Sequence, residues 1–205
     1  MATELFLASS NAGKLAEYKI LARDALKQTG RKLELHLDLL PNFSQLPTFE
    51  ENEPTFGENA AGKALHYSRL SGKMVFADDS GLVVPALGGA PGVRSARYAG
   101  ADASDAEKIA KLLGELRCKQ GQPRSAYFVC VIALAINGTA KAIVSAQANG
   151  EITEQERGSQ GFGYDPVFFF PPLKKTFAEL SVEEKNLHSH RGKAFQRLIA
   201  TLPDA

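Results

Sequence analysis

The chain has 205 residues, 44% hydrophobic and 23% charged, the values of a globular protein that can bury one core or two lobes around a cleft. A net charge of +1 excludes general attraction to nucleic acid or anionic membrane, so any anion site must be local. Cys118 and Cys130 make no metal-ligand pattern or disulfide framework, and the apolar run Leu5 to Ala8 is far too short for a signal peptide or membrane span. These features predict a soluble, cytoplasmic protein.

Leu5 to Ala8 reads as a buried first strand. The polar loop Ser9-Ser-Asn-Ala-Gly-Lys14 follows, then a helix with Leu15, Tyr18, Ala22, Ala25 and Leu26 on one side. Strand, small polar loop and helix N-terminus together make an anion cradle, to which Lys14 adds a full charge. The plainer alternative is an ordinary connection with an exposed lysine. Leu33, Leu35, Leu37 and Leu39 alternate as in a half-buried strand, and Pro41 to Pro54 reads as a surface loop. Thr55-Phe-Gly-Glu58 is a capping box that starts a helix ending near Gly72. Glu50 and Glu51 lie just before it, as loop charges or dipole partners. Gly57 to Lys63 has P-loop spacing, but Ala64 replaces the required Ser/Thr and the segment lies inside a helix. That reading fails, although Lys63 can still reach a phosphate.

Met74 to Ala77 reads as a short buried strand ending in Asp78-Asp-Ser-Gly81, with Leu82 to Val84 resuming as strand. Side chains alternate along a strand, so Asp78 and Asp79 should face opposite sides, one toward chemistry and one as support. A solvated turn has the same composition. Gly88 to Gly92 makes a tight turn, followed by Arg94, Arg97 and Tyr98. Ser104-Asp-Ala-Glu107 caps a core helix. Ala126 to Ile136 and Ala140 to Ala148 form a hairpin around Asn137-Gly138, which implies a mixed sheet. Gly158 to Pro166 is a glycine-rich loop where something flat could slide against Phe162 or Tyr164; the alternative tucks these aromatics into the core. Ser181 caps a helix that carries Lys185, and Ser189, His190 and Arg191 offer donors at the start of the last helix. His188 and His190 lack the further ligands that a zinc site needs.

Taken in order, Ser9-x-Asn11-x-x-Lys14, Glu51 to Lys63 and Ala77-Asp-Asp-Ser-Gly-Leu82 resemble the inosine/xanthosine triphosphate pyrophosphatase family. So do Gly88 to Tyr98, Phe162-Gly-Tyr-Asp-Pro166, and Glu184-Lys185 with Ser189-His190-Arg191, the set looking like the prokaryotic branch. One departure is Glu53, where the family usually has glycine. The resemblance implies an α/β fold with a mixed, twisted central sheet, flanking helices and two lobes around an active-site cleft. It implies one pyrophosphatase domain over residues 1–205, a homodimer, a magnesium requirement, and hydrolysis of dITP, ITP and XTP to monophosphate and pyrophosphate.

On this reading water attacks the α-phosphorus with metal assistance, Asp79 and Glu51 are the metal ligands, and Asp79 is the catalytic base. Ser9, Asn11, Lys14, Lys63, Ser80 and Arg97 would hold phosphate oxygens. Phe162 would stack on the base, in a loop with Gly163 and Tyr164. Asp165, Lys185, His190 and Arg191 would surround the edge of the base, a donor toward the C6 keto oxygen discriminating by roughly 10⁴ against an amino group. Two other readings compete: a septum-formation-inhibitor-like pyrophosphatase of different substrate preference, and a non-catalytic nucleotide-binding protein. Neither nucleic acid nor membrane is expected as a partner.

Overall fold

The computed structural model describes residues 2–119 and 121–203. Its centre is a mixed seven-stranded sheet of order β2-β1-β3-β4-β5-β6-β7, flanked by helices, as the sequence predicts. Strand β1 (Thr3–Leu7) pairs in parallel with β2 (Leu35–Leu39) and β3 (Met74–Val83). The right-hand part of that order is antiparallel: β5 (Thr139–Ile152) pairs with β6 (Phe168–Phe170), and β6 with β7 (Lys175–Thr176). Strand β4 (Ser125–Ile136) reaches β5 through Asn137 and Gly138, both at positive φ (50° and 72°), as a two-residue hairpin turn requires.

Helix α1 (Ala12–Thr29) begins earlier than expected, inside the stretch read as loop, because the Asn11 side chain caps it. Three caps place helices where the sequence puts their starts: Thr55 caps α2 (Phe56–Ser71), Ser104 caps α3 (Asp105–Arg117) and Ser181 caps α4 (Val182–His188). Gly30 and Gly72 end α1 and α2 in the left-handed conformation that other residues resist. The last helix is α5 (His190–Thr201). Among the described residues no helix is long and apolar enough to cross a membrane.

Strand β3 departs from expectation. It runs unbroken from Met74 through Asp78, Asp79, Ser80 and Gly81 to Val83, so the two carboxylates stand within a strand rather than at its end. The sheet holds this segment between β1 and β4, and each aspartate has a side-chain partner in place of a turn.

Contacts divide the chain into two compact units. The first comprises the residues up to Asp79, Cys130–Ala146 and those from Arg191 onward. Its core has two faces. On one, Leu5, Leu7 and Phe76 pack against Tyr18 of α1 and Phe195 of α5, with Tyr18 edge-on to Phe76 at 5.0 Å. On the other, Val75 and Ala77 pack against Ala60, Ala64 and Tyr67 of α2. Each fully buried Leu or Phe contributes about 1.5–3 kcal/mol. The second unit, Ser80–Val129 with Gln147–His190, is built around Leu82, Leu112, Phe128, Phe168 and Phe177.

Candidate active site

The period of two along β3 decides where its carboxylates go. Phe76 faces α1 and α5, so Asp78, two residues on, faces them too; Asp79 follows Ala77 toward α2. Asp78 is 4% exposed. Lys14 Nζ lies 2.6 Å from its Oδ1, and Arg191 Nε lies 3.7 Å from its Oδ2. Burial alone would raise the Asp78 pKa, but Lys14 and then Arg191 outweigh it and hold the group at about 2. Arg191 is itself buried and its Nη1 donates to both oxygens of Glu17, at 3.1 and 3.0 Å. Burial would lower the pKa of the guanidinium, yet Glu17, Tyr18 and Asp78 drive it well above its ordinary value. Glu17, Arg191, Asp78 and Lys14 therefore form one alternating chain of charge.

Glu17 is a residue that sequence reading missed. It sits one turn after Lys14, on the polar flank of an amphipathic helix, and only the return of α5 gives it a cation.

At the start of α1, Asn11 Oδ1 accepts the Lys14 N–H at 3.0 Å and Ser9 Oγ accepts the Asn11 N–H at 3.1 Å. The expected cradle is thus a capped helix N-terminus beside Lys14, with Asn11 serving as the cap.

On the α2 face, Asp79 Oδ2 accepts a hydrogen bond from Asn59 Nδ2 at 2.9 Å. Asn59 is 1% exposed, and its Oδ1 accepts the Glu53 N–H at 3.0 Å. Glu51 pairs with Lys63, which projects from the next turn of α2. Asn59 was also missed as a functional residue. The available signal is a weak helix former in the first turn of α2, beside the buried alanines.

Among the described residues no group of three His, Cys, Asp or Glu side chains is gathered to hold a metal. Asp79 and Glu51 nevertheless supply hard carboxylate oxygens, the donor type that suits magnesium. That ion commonly takes one or two carboxylates and completes its shell with water and phosphate. The donor set fits such an ion and does not fit a closed zinc site.

In the second unit, Asp165 is 3% exposed and its Oδ2 accepts from Lys185 Nζ at 2.5 Å and from the Phe162 N–H at 2.8 Å. Lys185 Nζ also lies 4.6 Å from the centroid of the ring of Phe162, a residue that is 55% exposed. Gly161 sits at φ +79°, and a Cβ there would fall 2.1 Å from Asp165 Oδ2. The Gly163 N–H donates to Asp105 at 2.6 Å, a contact that nothing in the spacing of the two residues announces. Tyr164 does not offer a stacking face: its ring is buried in the core and its hydroxyl donates to the Ser95 carbonyl at 2.9 Å. His190 is also buried, stacked on Phe128 at 4.7 Å, and His188 lies against Phe170. Ser80 is half-buried on β3, and Arg97 is exposed at the end of the short 3-10 segment Gly92–Arg97.

The first unit thus brings Lys14 and Arg191 to Asp78 on one face of β3, and on the α2 side sets Asn59 against Asp79 and pairs Lys63 with Glu51. The second brings together Phe162, Asp165 and Lys185.

Comparison with known proteins adds a further observation. The sequence model of the Ham1 family matches residues 5–201. The chain is 49% identical over 195 residues to a dITP/XTP pyrophosphatase of Geobacillus kaustophilus, covering 95% of this chain and 92% of that one. It is 46% identical over 204 residues to a dITP/XTP pyrophosphatase of Coxiella burnetii, covering 98% of each. Among solved structures it resembles a HAM1 protein from Coxiella burnetii, with TM-score 0.86 and 45% identity over 97% of each chain. It also resembles the Staphylococcus aureus Ham1 protein, with TM-score 0.83 and 39% identity over 97% of each chain.

Proposed function

This chain belongs to the Ham1 family, and from that premise we propose that it hydrolyses dITP, ITP and XTP to the monophosphate and pyrophosphate, clearing non-standard purine nucleotides from the pool. The observation that carries the reading is the division of labour along β3. Asp78 is buried between Lys14 and Arg191 and is held ionised, whereas Asp79 is only half-buried and is oriented by a neutral amide. Two adjacent carboxylates with such different surroundings suit two different roles.

Asp79 is the general base for water attacking the α-phosphorus, and Asp79 with Glu51 would hold magnesium. Bound there, the ion would offset phosphate charge and lower the pKa of water, easing the task of a carboxylate, which is a weak base. Lys14 and Lys63 are positioned by Asp78 and Glu51, and each exchanges part of that ion pair for phosphate oxygens when the triphosphate binds. Ser9, Asn11, Ser80 and Arg97 complete the assignment on the phosphate side.

The base falls to the second group. Phe162 provides an exposed ring for stacking, steadied by Lys185 above it and by Asp165 below its N–H. Arg191 or a loop amide is the donor assigned to the keto oxygen at C6, where adenine would present an amino group. Gly163 and Tyr164 shape that loop, and His190 fixes the start of α5. A cytoplasmic homodimer belongs to the same proposal and is checked by light scattering.

The test of function is pyrophosphate release across a panel of dITP, ITP, XTP, dATP, dGTP and pyrimidine triphosphates, with and without magnesium. Turnover of the first three, magnesium-dependent and well above the others, is expected. Preference for pyrimidine nucleotides would overturn it.

A further inference from the structure

We propose that Asn59 is a positioning residue that locks Asp79 and the Glu51-bearing loop into one arrangement, acting through the backbone of Glu53 and not its side chain. The proposal rests on the reading of Asp79 and Glu51 as the acidic pair of a pyrophosphatase.

Both ends of the Asn59 amide are committed. Nδ2 donates to Asp79 Oδ2 at 2.9 Å and to the Glu53 carbonyl at 3.4 Å, while Oδ1 accepts the Glu53 N–H at 3.0 Å. A carboxylate only accepts and a backbone N–H only donates, so the reverse orientation would set acceptor against acceptor and donor against donor. With 1% exposure, water cannot substitute for a lost partner, and each group left unpaired costs about 1–3 kcal/mol. The amide is therefore a fixed link between a strand carboxylate twenty residues further along the chain and the loop that carries Glu53.

The loop has a second anchor on the same helix. The Phe49 N–H donates to the Tyr67 hydroxyl at 3.3 Å, and the Phe49 ring lies against Gly62, where a Cβ would meet it at 2.5 Å. Glu51 is thus held from both sides, at residue 49 and at residue 53, and its partner Lys63 stands on α2 as well. Asn59, one of these anchors, also touches Asp79. It sets the loop and the strand carboxylate relative to each other, and so the spacing that a hard cation would find.

The arrangement also accounts for the departure at Glu53. Glycine and glutamate offer the same N–H and carbonyl, and the clamp uses nothing else.

Asn59→Ala is compared with Glu53→Ala and the parent chain by steady-state kinetics, magnesium titration, and amide exchange of the metal-free, nucleotide-free protein. In Asn59→Ala, kcat should fall about tenfold or more and half-saturating magnesium should rise about threefold or more, with KM at saturating magnesium within about threefold. The Glu53 amide should exchange about tenfold faster than in the parent, with β1 and α5 unaltered. Glu53→Ala should lose less than about threefold in kcat. Parental kcat and magnesium requirement in Asn59→Ala would overturn the proposal, as would damage from Glu53→Ala equal to that from Asn59→Ala. Should Asn59→Ala not fold, the Glu53 amide of the parent decides: protection supports the clamp, and exchange at the rate of unstructured peptide refutes it. An Asp79→Asn chain that keeps its turnover would sink the functional reading instead, and the exchange result would still report on the clamp.

Discussion

Lys14 Nζ lies 2.6 Å from Asp78 Oδ1, so the cation at the start of α1 is held by the carboxylate that precedes Asp79 on β3. A lysine at a strand-to-helix turn is a mobile point charge on a flexible stem. Asp78 removes that freedom before any phosphate arrives. Lys14 compensates a buried charge, and the proposed function adds substrate binding; the two separate in experiment.

Replacing Lys14 by alanine leaves Asp78 with Arg191 beside it and Lys63 also acting on it. Stability should fall by about 2 kcal/mol, less than the usual cost of breaking a buried pair because Arg191 persists. KM for dITP should rise and kcat/KM should fall with it. Urea unfolding reads the first effect and initial rates the second; an unchanged KM would place the phosphate cradle elsewhere.

Asp78 also predicts a pH dependence. Its folded pKa of about 2 lies below the ordinary 3.8, because Lys14 and Arg191 together outweigh the effect of burial. The native state therefore favours the ionised form. The resulting stability is fully present above pH 4 and is lost as pH falls from about 4 through 2, on the order of 2 kcal/mol in all. Urea midpoints of the parent and of Asp78→Asn in metal-free buffer should converge over that window. Midpoints that stay parallel down to pH 2 would contradict the assignment.

Gly161→Ala should disturb the second unit selectively. The substitution strains a backbone at φ +79° and drives a Cβ into Asp165 Oδ2, the atom that holds both Lys185 and the Phe162 N–H. A loss of about 1–3 kcal/mol is expected from the strain. KM for ITP should rise several-fold more than kcat falls, which steady-state kinetics resolves.

Arg191→Ala tests base discrimination. Because Glu17 and Asp78 lose their shared cation, stability should drop by about 3 kcal/mol. The ratio of kcat/KM for ITP over ATP should narrow as well. A ratio that stays constant while both activities fall would assign Arg191 to bracing Asp78 alone.

The caps of α2 to α4, the hairpin turn and strand β2 were legible because each depends on a few residues in a row: Ser104 with Glu107, Asn137 with Gly138, the leucines of β2. So was the opposite facing of Asp78 and Asp79, which follows from strand geometry alone. The continuity of β3 was not legible. Asp-Asp-Ser-Gly has the composition of a turn, and only partners from α1, α2 and α5 let it remain strand. Likewise Glu17, Asn59 and Asp105 look like solvent-facing helix residues until a distant segment meets them. Phe162 and Tyr164 illustrate the same limit: two aromatics two residues apart in a glycine-rich loop, one exposed and one in the core, with local sequence unable to say which.

The central claim is that Asp79, with its neighbours on β3 and α2, is where the hydrolytic water is activated. Pyrophosphate release from dITP by Asp79→Asn in saturating magnesium, with nucleotide binding to the same preparation measured by titration calorimetry, tests it most directly. Turnover reduced by about 10³-fold or more, with binding still measurable, is expected. Turnover near the parental rate would contradict it.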